Sequence, residues 1–257
     1  MARWTSFPHL GDYPFDAAAV AQHWDRLHAG DAEPLPDDAQ VLQAWALFHS
    51  GQFEQAMEAG LRAGGAGITV ANKAACIHAN YLEQREKQRL DLFQEVAQRA
   101  QAQAQADASN PNAWYWQAYA LGRYSQGISV AKALAQGLGS KVKDALERTI
   151  ALQPRHADAH IALGAFHAEV IDKVGSLIGG MTHGAKKETG LRMFEQALKL
   201  TPQSAIAMIE YANGLVMLHG ERKAAEATRL YQQAAASAPA DARERLDLEL
   251  ALSELQD

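Results

Sequence analysis

The chain has 257 residues and a formal net charge of −6, long enough to bury a sizeable core in one elongated domain or two small compact ones. Apolar residues make up 48%, much of that alanine, and only 7% are aromatic, a composition that favours closely packed helices over sheet. The acidic balance argues against a nucleic-acid binder, which needs a basic stripe to neutralise phosphates, and the lone Cys76 excludes an internal disulfide framework.

The opening "MARWTSFPHLGDYPF" carries no long apolar h-region, and no apolar run approaches the ~20 residues that span a bilayer. The expectation is a cytoplasmic protein without membrane insertion. Residues 14–30, "PFDAAAVAQHWDRLHAG", read as a helix with Val20, Trp24 and Leu27 on its inward side, and "AGDAEPLPDD" as a linker or turn. Residues 1–36 are therefore an N-terminal extension with a capping helix. The stretch 84–107 predicts a long helix with a solvated face. Farther on, "ALERTIALQP" (145–154), "MFEQALKLTP" (193–202) and "LYQQAAASAP" (230–239) each read as the last turns of a helix stopped by proline. "AQAQADASNP" (102–111) is a weaker fourth. Residues 241–255 place Leu246, Leu250 and Leu252 among charges, as a helix sealing the C-terminal end does.

"RHADAHIALGAFHAEV" (155–170) raises the question of a metal site, because His156, His160 and His167 fall near one helical stripe. A rise of 1.5 Å per residue sets His160 and His167 about 10 Å apart, too far for one ion, and no H-E-x-x-H or Cys/His cluster accompanies them. They are expected to be packing residues. "GGMTHGAKKET" (179–189) falls short of a phosphate loop because Ala185 separates Gly184 from Lys186. A helix starting near Thr182–Lys186 still leaves a possible anion contact at Lys186 and Lys187. No serine, and not Cys76, is tied by motif to a base. No catalytic residue, metal or cofactor is predicted.

Several residues together resemble the tetratricopeptide repeat (TPR) superfamily, in a divergent bacterial-type form with lengthened repeats. After Pro154, residues His160, Leu163, Gly164 and His167 stand at the repeat's slots 4, 7, 8 and 11, and Gly190, Phe194, Ala197 and Pro202 at slots 20, 24, 27 and 32. Ala227, Tyr231, Ala234 and Pro239 fit the second helix of the next unit, and Leu121 and Gly122 mark the unit after Pro111. Gly51, Phe53 and Ala56 resemble the middle of an earlier one. "HIALGAFHAEV…G…FEQALKLTP" is also similar, over one unit, to TPR proteins of the microtubule-dynamics-regulator type. The resemblance implies an all-α, right-handed α-α superhelix, a TPR-like solenoid of about five helix pairs over 37–239, with 240–257 as a C-terminal capping helix. Helix pairs of this kind bury their apolar sides only by stacking on neighbours.

It also implies a non-enzymatic scaffold that binds a peptide or partner helix along a groove lined by first helices. Transferring the groove slots gives Trp116, Tyr119 and Arg123 in the unit after Pro111, Asp158 and Glu169 in the next, and Asn213 in the third. The apolar Ile161, Ile206, Ile209, Val216 and Met217 occupy further slots. Arg and aromatics are the usual anchors of interfaces, so Trp116, Tyr119 and Arg123 lead. The insertions "GISVAKALAQGLGSK" (127–141) and "DKVGSLIGGMTHGAKK" (172–187) are expected to extend first helices and to form an apolar surface for a partner, a ligand or a second copy of the chain. The alternative is a helical small-molecule-binding protein that encloses an apolar or anionic ligand near those insertions.

Overall fold

The computed structural model describes residues 4–256, and among them there are helices, turns and loops but no strand. The helices in chain order are α1 (Ala17–Gln22), α2 (Trp24–Leu27), α3 (Ala39–His49), α4 (Phe53–Ala63), α5 (Gly67–Tyr81), α6 (Glu86–Ala106), α7 (Pro111–Gln126) and α8 (Val130–Ala135). They continue as α9 (Leu138–Leu152), α10 (Ala157–Val174), α11 (Ser176–His183), α12 (Lys187–Leu200), α13 (Ala205–His219), α14 (Ala224–Ala235) and α15 (Ala242–Glu254).

The chain forms two compact units. One holds the described residues up to His28, Glu33–Leu152 and Ala240–Arg243; the other holds Ala29–Ala32, Gln153–Pro239 and the described residues from Glu244. In the first, α3 pairs with α4, α5 with α6 and α7 with α9. Each new first helix packs on the pair before it, α5 on α3 and α4, α7 on α5 and α6. In the second, α10 pairs with α12 and α13 with α14, and α13 packs on both α10 and α12. This is the nearest-neighbour stacking expected of helical repeats, with the five pairs read from the sequence.

Local chemistry sets the helix ends. Asp16, Asp38 and Ser204 cap α1, α3 and α13 by accepting a backbone N–H, which satisfies a donor that the first turn leaves without a partner. Asn110 accepts from both Asn112 and Ala113 at the head of α7. There Pro111 is the first helical residue rather than the stop of the preceding helix, which has ended at Ala106. Proline suits that position because its missing N–H is one the helix would not use. Pro154 and Pro202 do follow helix ends, two residues after Leu152 and Leu200.

One ring organises the second unit. Phe194 of α12 is fully buried between Gly164 of α10 and Gly214 of α13. A Cβ built on Gly164 would lie 2.8 Å from the ring, and one on Gly214 would collide with it as well. Tyr211 stacks on the same ring at 5.4 Å. The small residues let three helices close on one aromatic.

The insertions take a different form from the predicted extensions alone. α10 does run on to Val174, but α8 and α11 are short separate helices. Leu177, Ile178 and Met181 of α11 are exposed, as are Val130 and Leu134 of α8.

Candidate functional site

The groove residues named from the sequence lie on α7, α10 and α13, all first helices of their pairs. In the first unit three of them meet. The Trp116 and Tyr119 rings are 5.4 Å apart, and the Arg123 guanidinium sits 5.3 Å from the Tyr119 ring, within cation–π range. Arg123 also donates to Gln126 Oε1 at 3.3 Å. Trp116 is buried, whereas Tyr119 and Arg123 are half-buried. Tyr119 and Arg123 thus form an aromatic–guanidinium pair, with the buried Trp116 ring edge-on beside Tyr119.

The second unit treats its groove residues differently. Asp158 is buried against the chain's own Gly30. Its N–H donates to the Gly30 carbonyl at 3.0 Å, and a Cβ on Gly30 would lie 2.6 Å from Asp158 Oδ1. Glu169 lies 3.7 Å from Lys173 one turn on, about 16 Å along α10 from Asp158 at 1.5 Å per residue. Asn213 accepts a hydrogen bond from the Tyr231 hydroxyl. Ile161 and Ile206 pack with Leu250 of α15, and Ile209 with Ala251. Leu246 is buried and Leu252 exposed, so the C-terminal helix lays Leu250 and Ala251 over part of the first-helix face. Val216 and Met217 at the end of α13 remain exposed.

The two lysines have unequal positions. Lys187 donates from Nζ to the Leu218 carbonyl at 2.9 Å, with His219 Nδ1 at 3.2 Å. It caps the end of α13, where a cation is favoured. Lys186 is exposed, and its backbone N–H donates to His167 Nδ1 at 3.3 Å. The histidines pack as expected. His156 caps α10 by accepting from the Ala159 N–H, and His160 Nε2 contacts the Pro154 carbonyl at 3.1 Å. All three, with His167, are buried.

The sequence reading missed a dense aromatic and histidine assembly in the first unit. His49 Nδ1 donates to Asp241 Oδ2 at 2.6 Å, and His49 Nε2 lies 3.3 Å from His28 Nε2. Trp24 stacks on His28 at 3.9 Å, and Trp45 on His49 at 5.8 Å. Nearby, Ser50 Oγ bonds both the N–H and the carbonyl of Phe15. A cavity of about 700 Å³ opens there, lined by Trp4, Phe7, Tyr13, Phe15, Phe53 and Glu54, among others. Four aromatics crowded into residues 4–15, with no helical period, were the available signal.

Trp4 also stacks on His78 at 4.1 Å. Burial pushes the His78 imidazole down to about 4, outweighing the pull of Glu83 at 3.8 Å. Glu83 is itself held near 2, chiefly by its hydrogen bonds from Arg85. Because the unfolded chain protonates His78 near 6.5 and the folded chain does not, folding loses stability as pH falls from about 6.5 to about 4. Thermal unfolding followed across that window is expected to show a shallower pH slope for His78→Leu than for wild type.

Residues 61–256 match the family model described as regulator of microtubule dynamics protein 1-3. No curated protein matches the chain. Among solved structures, a thermophilic TPR protein of Thermus thermophilus aligns at 16% identity, covering 83% of this chain and 97% of that one, with a TM-score of 0.58. YrrB, a TPR protein with an unusual peptide-binding site, aligns at 14% identity over 94% of this chain and 100% of its own, with a TM-score of 0.40. At 16% identity the Thermus likeness shows the fold alone, which is all-α and TPR-like.

Proposed function

The chain belongs to the regulator of microtubule dynamics protein 1-3 family, and on that premise we propose that it is a non-enzymatic scaffold that binds a protein segment on the first-helix face of its repeats. The observation that carries the reading is the half-buried Tyr119–Arg123 pair beside the buried Trp116. A guanidinium already held over an aromatic ring loses less freedom on binding than a free one, and aromatic–arginine patches are the common energetic centres of interfaces. In the second unit, Val216 and Met217 at the end of α13 are exposed apolar side chains. Asp158 and Asn213, already engaged within the chain, support the frame of this face rather than its contacts.

The family's name makes the microtubule the first partner to test. Co-sedimentation of the chain with polymerised tubulin is expected to show binding that Tyr119→Ala/Arg123→Ala weakens about tenfold or more, the effect of losing one energetic centre. If tubulin is not the partner, quantitative capture should lose specific proteins with the double variant and keep them with Leu252→Ser, a change at an exposed residue of α15. Identical binding and capture by wild type and double variant would sink the assignment.

A further inference from the structure

The cavity beside the α3–α4 turn is a separate place in the fold from the Tyr119–Arg123 pair, and its walls are fixed before any ligand arrives. Gly51 in that turn has φ +80°, and a Cβ there would collide with the Phe7 ring. Phe7 is thereby seated against the turn, buried, with Phe53 at 6.1 Å and Tyr13 at 6.4 Å. Phe15 is tied to the same turn through both of its backbone groups by Ser50 Oγ. Trp4 is braced by its stack on His78. Aromatic walls held in this way lose little entropy on binding.

The charged side chains among the described residues that line the cup have one sign. Asp16 and Glu54 line it, and among the described residues no Lys, Arg or His does. Asp16 is spent as the cap of α1, accepting from the Ala19 N–H at 2.7 Å. Glu54 is half-exposed, and its hydrogen bond from the Trp4 N–H is long at 3.5 Å. The start of α1 is met by Asp16, and the start of α4 adds about half a positive charge beside Glu54, less than that one carboxylate supplies. A neutral apolar guest would leave Glu54 uncompensated, and an anion would be repelled.

We propose that this cup binds an organic cation, an ammonium or guanidinium group whose charge meets Glu54 and whose carbon-bound faces meet the aromatic rings. Cation–π attraction and a carboxylate select together for such a group over a neutral one of equal size. The group can belong to a lysine or arginine side chain of a protein segment or to a small quaternary ammonium compound.

The test uses the full chain and follows the Trp4 indole N–H by NMR, assigned by comparison with Trp4→Phe. Choline, its neutral isostere 3,3-dimethyl-1-butanol, N-acetyl-lysine amide and N-acetyl-arginine amide are titrated in turn. At least one cation is expected to shift the Trp4 signal and to bind about fivefold or more tightly than the neutral isostere. Glu54→Gln, a surface change that spares the fold, is expected to remove most of that preference, and Tyr13→Leu to weaken the cation itself. A preference for the amino-acid amides marks a protein segment as the source, and a preference for choline marks a small molecule. The proposal is overturned if no cation moves the Trp4 signal, if the neutral isostere binds equally well, or if folded Glu54→Gln keeps the full preference.

Discussion

Phe194→Ala is expected to destabilise the protein by about 3–5 kcal/mol, the range for emptying a fully buried aromatic site. The ring touches α10 through Gly164, α13 through Gly214 and a second ring through Tyr211. Its removal leaves a cavity that three helices border. Those helices cannot close it cheaply, because the two glycines already let the backbones approach as near as the ring allows. The opposite change at the same place, Gly214→Ala, adds a methyl group where the ring lies and is expected to cost about 1–3 kcal/mol by overpacking. Urea unfolding monitored by circular dichroism measures both. A loss below about 1 kcal/mol for Phe194→Ala would mean that the ring does not hold the unit together.

Asp241→Ala is expected to cost about 3 kcal/mol or more, the range for stripping one partner from a buried pair. Its carboxylate is nearly inaccessible, as is the His49 ring to which it is bound, and the pair joins positions 192 residues apart within the first unit. The hydrogen-bond network closes when His49 Nδ1–H donates to Asp241 and His49 Nε2 accepts from His28 Nε2–H. Alanine at 241 strips the acceptor and leaves a buried imidazole N–H on a ring packed among Phe15, Trp45 and Phe48, the situation in which losing one partner costs far more than the bond contributed. Asp241→Asn keeps an acceptor oxygen and should cost roughly 1 kcal/mol. The denaturation midpoints of the two variants decide the matter, since equal losses would show that the charge and the acceptor are not what hold position 241.

The repeats from residue 111 onward were legible because their signal is local. Gly164, Gly190, Phe194 and Ala197 recur at helical spacing, and the same residues lie in the buried seam between α10 and α12. The half-buried pair was legible for the same reason, since Tyr119 and Arg123 are one turn apart on α7. What stayed hidden depends on distant partners. Nothing near Asp241 announces His49, nothing near Glu33 announces Asn112, whose Nδ2 donates to it at 2.5 Å, and nothing near Trp4 announces His78. The segment 29–38, read as a linker, contains the buried Asp31 and Glu33, because short polar residues look alike in a solvated turn and in a buried network. The groove slots carried a second ambiguity. Ile161, Ile206 and Ile209 have the same pattern whether a partner or α15 covers them, and here α15 does.

Site-specific photo-cross-linking tests the scaffold reading most directly. A benzophenone amino acid in place of exposed Gln126, which pairs with Arg123 on α7, is introduced into the intact chain in cells, beside a control in place of exposed Leu252 on α15. The account predicts a discrete cross-linked protein band from position 126 that Tyr119→Ala abolishes, and no such band from position 252. Equal bands from both positions, or a position-126 band indifferent to Tyr119→Ala, would contradict it.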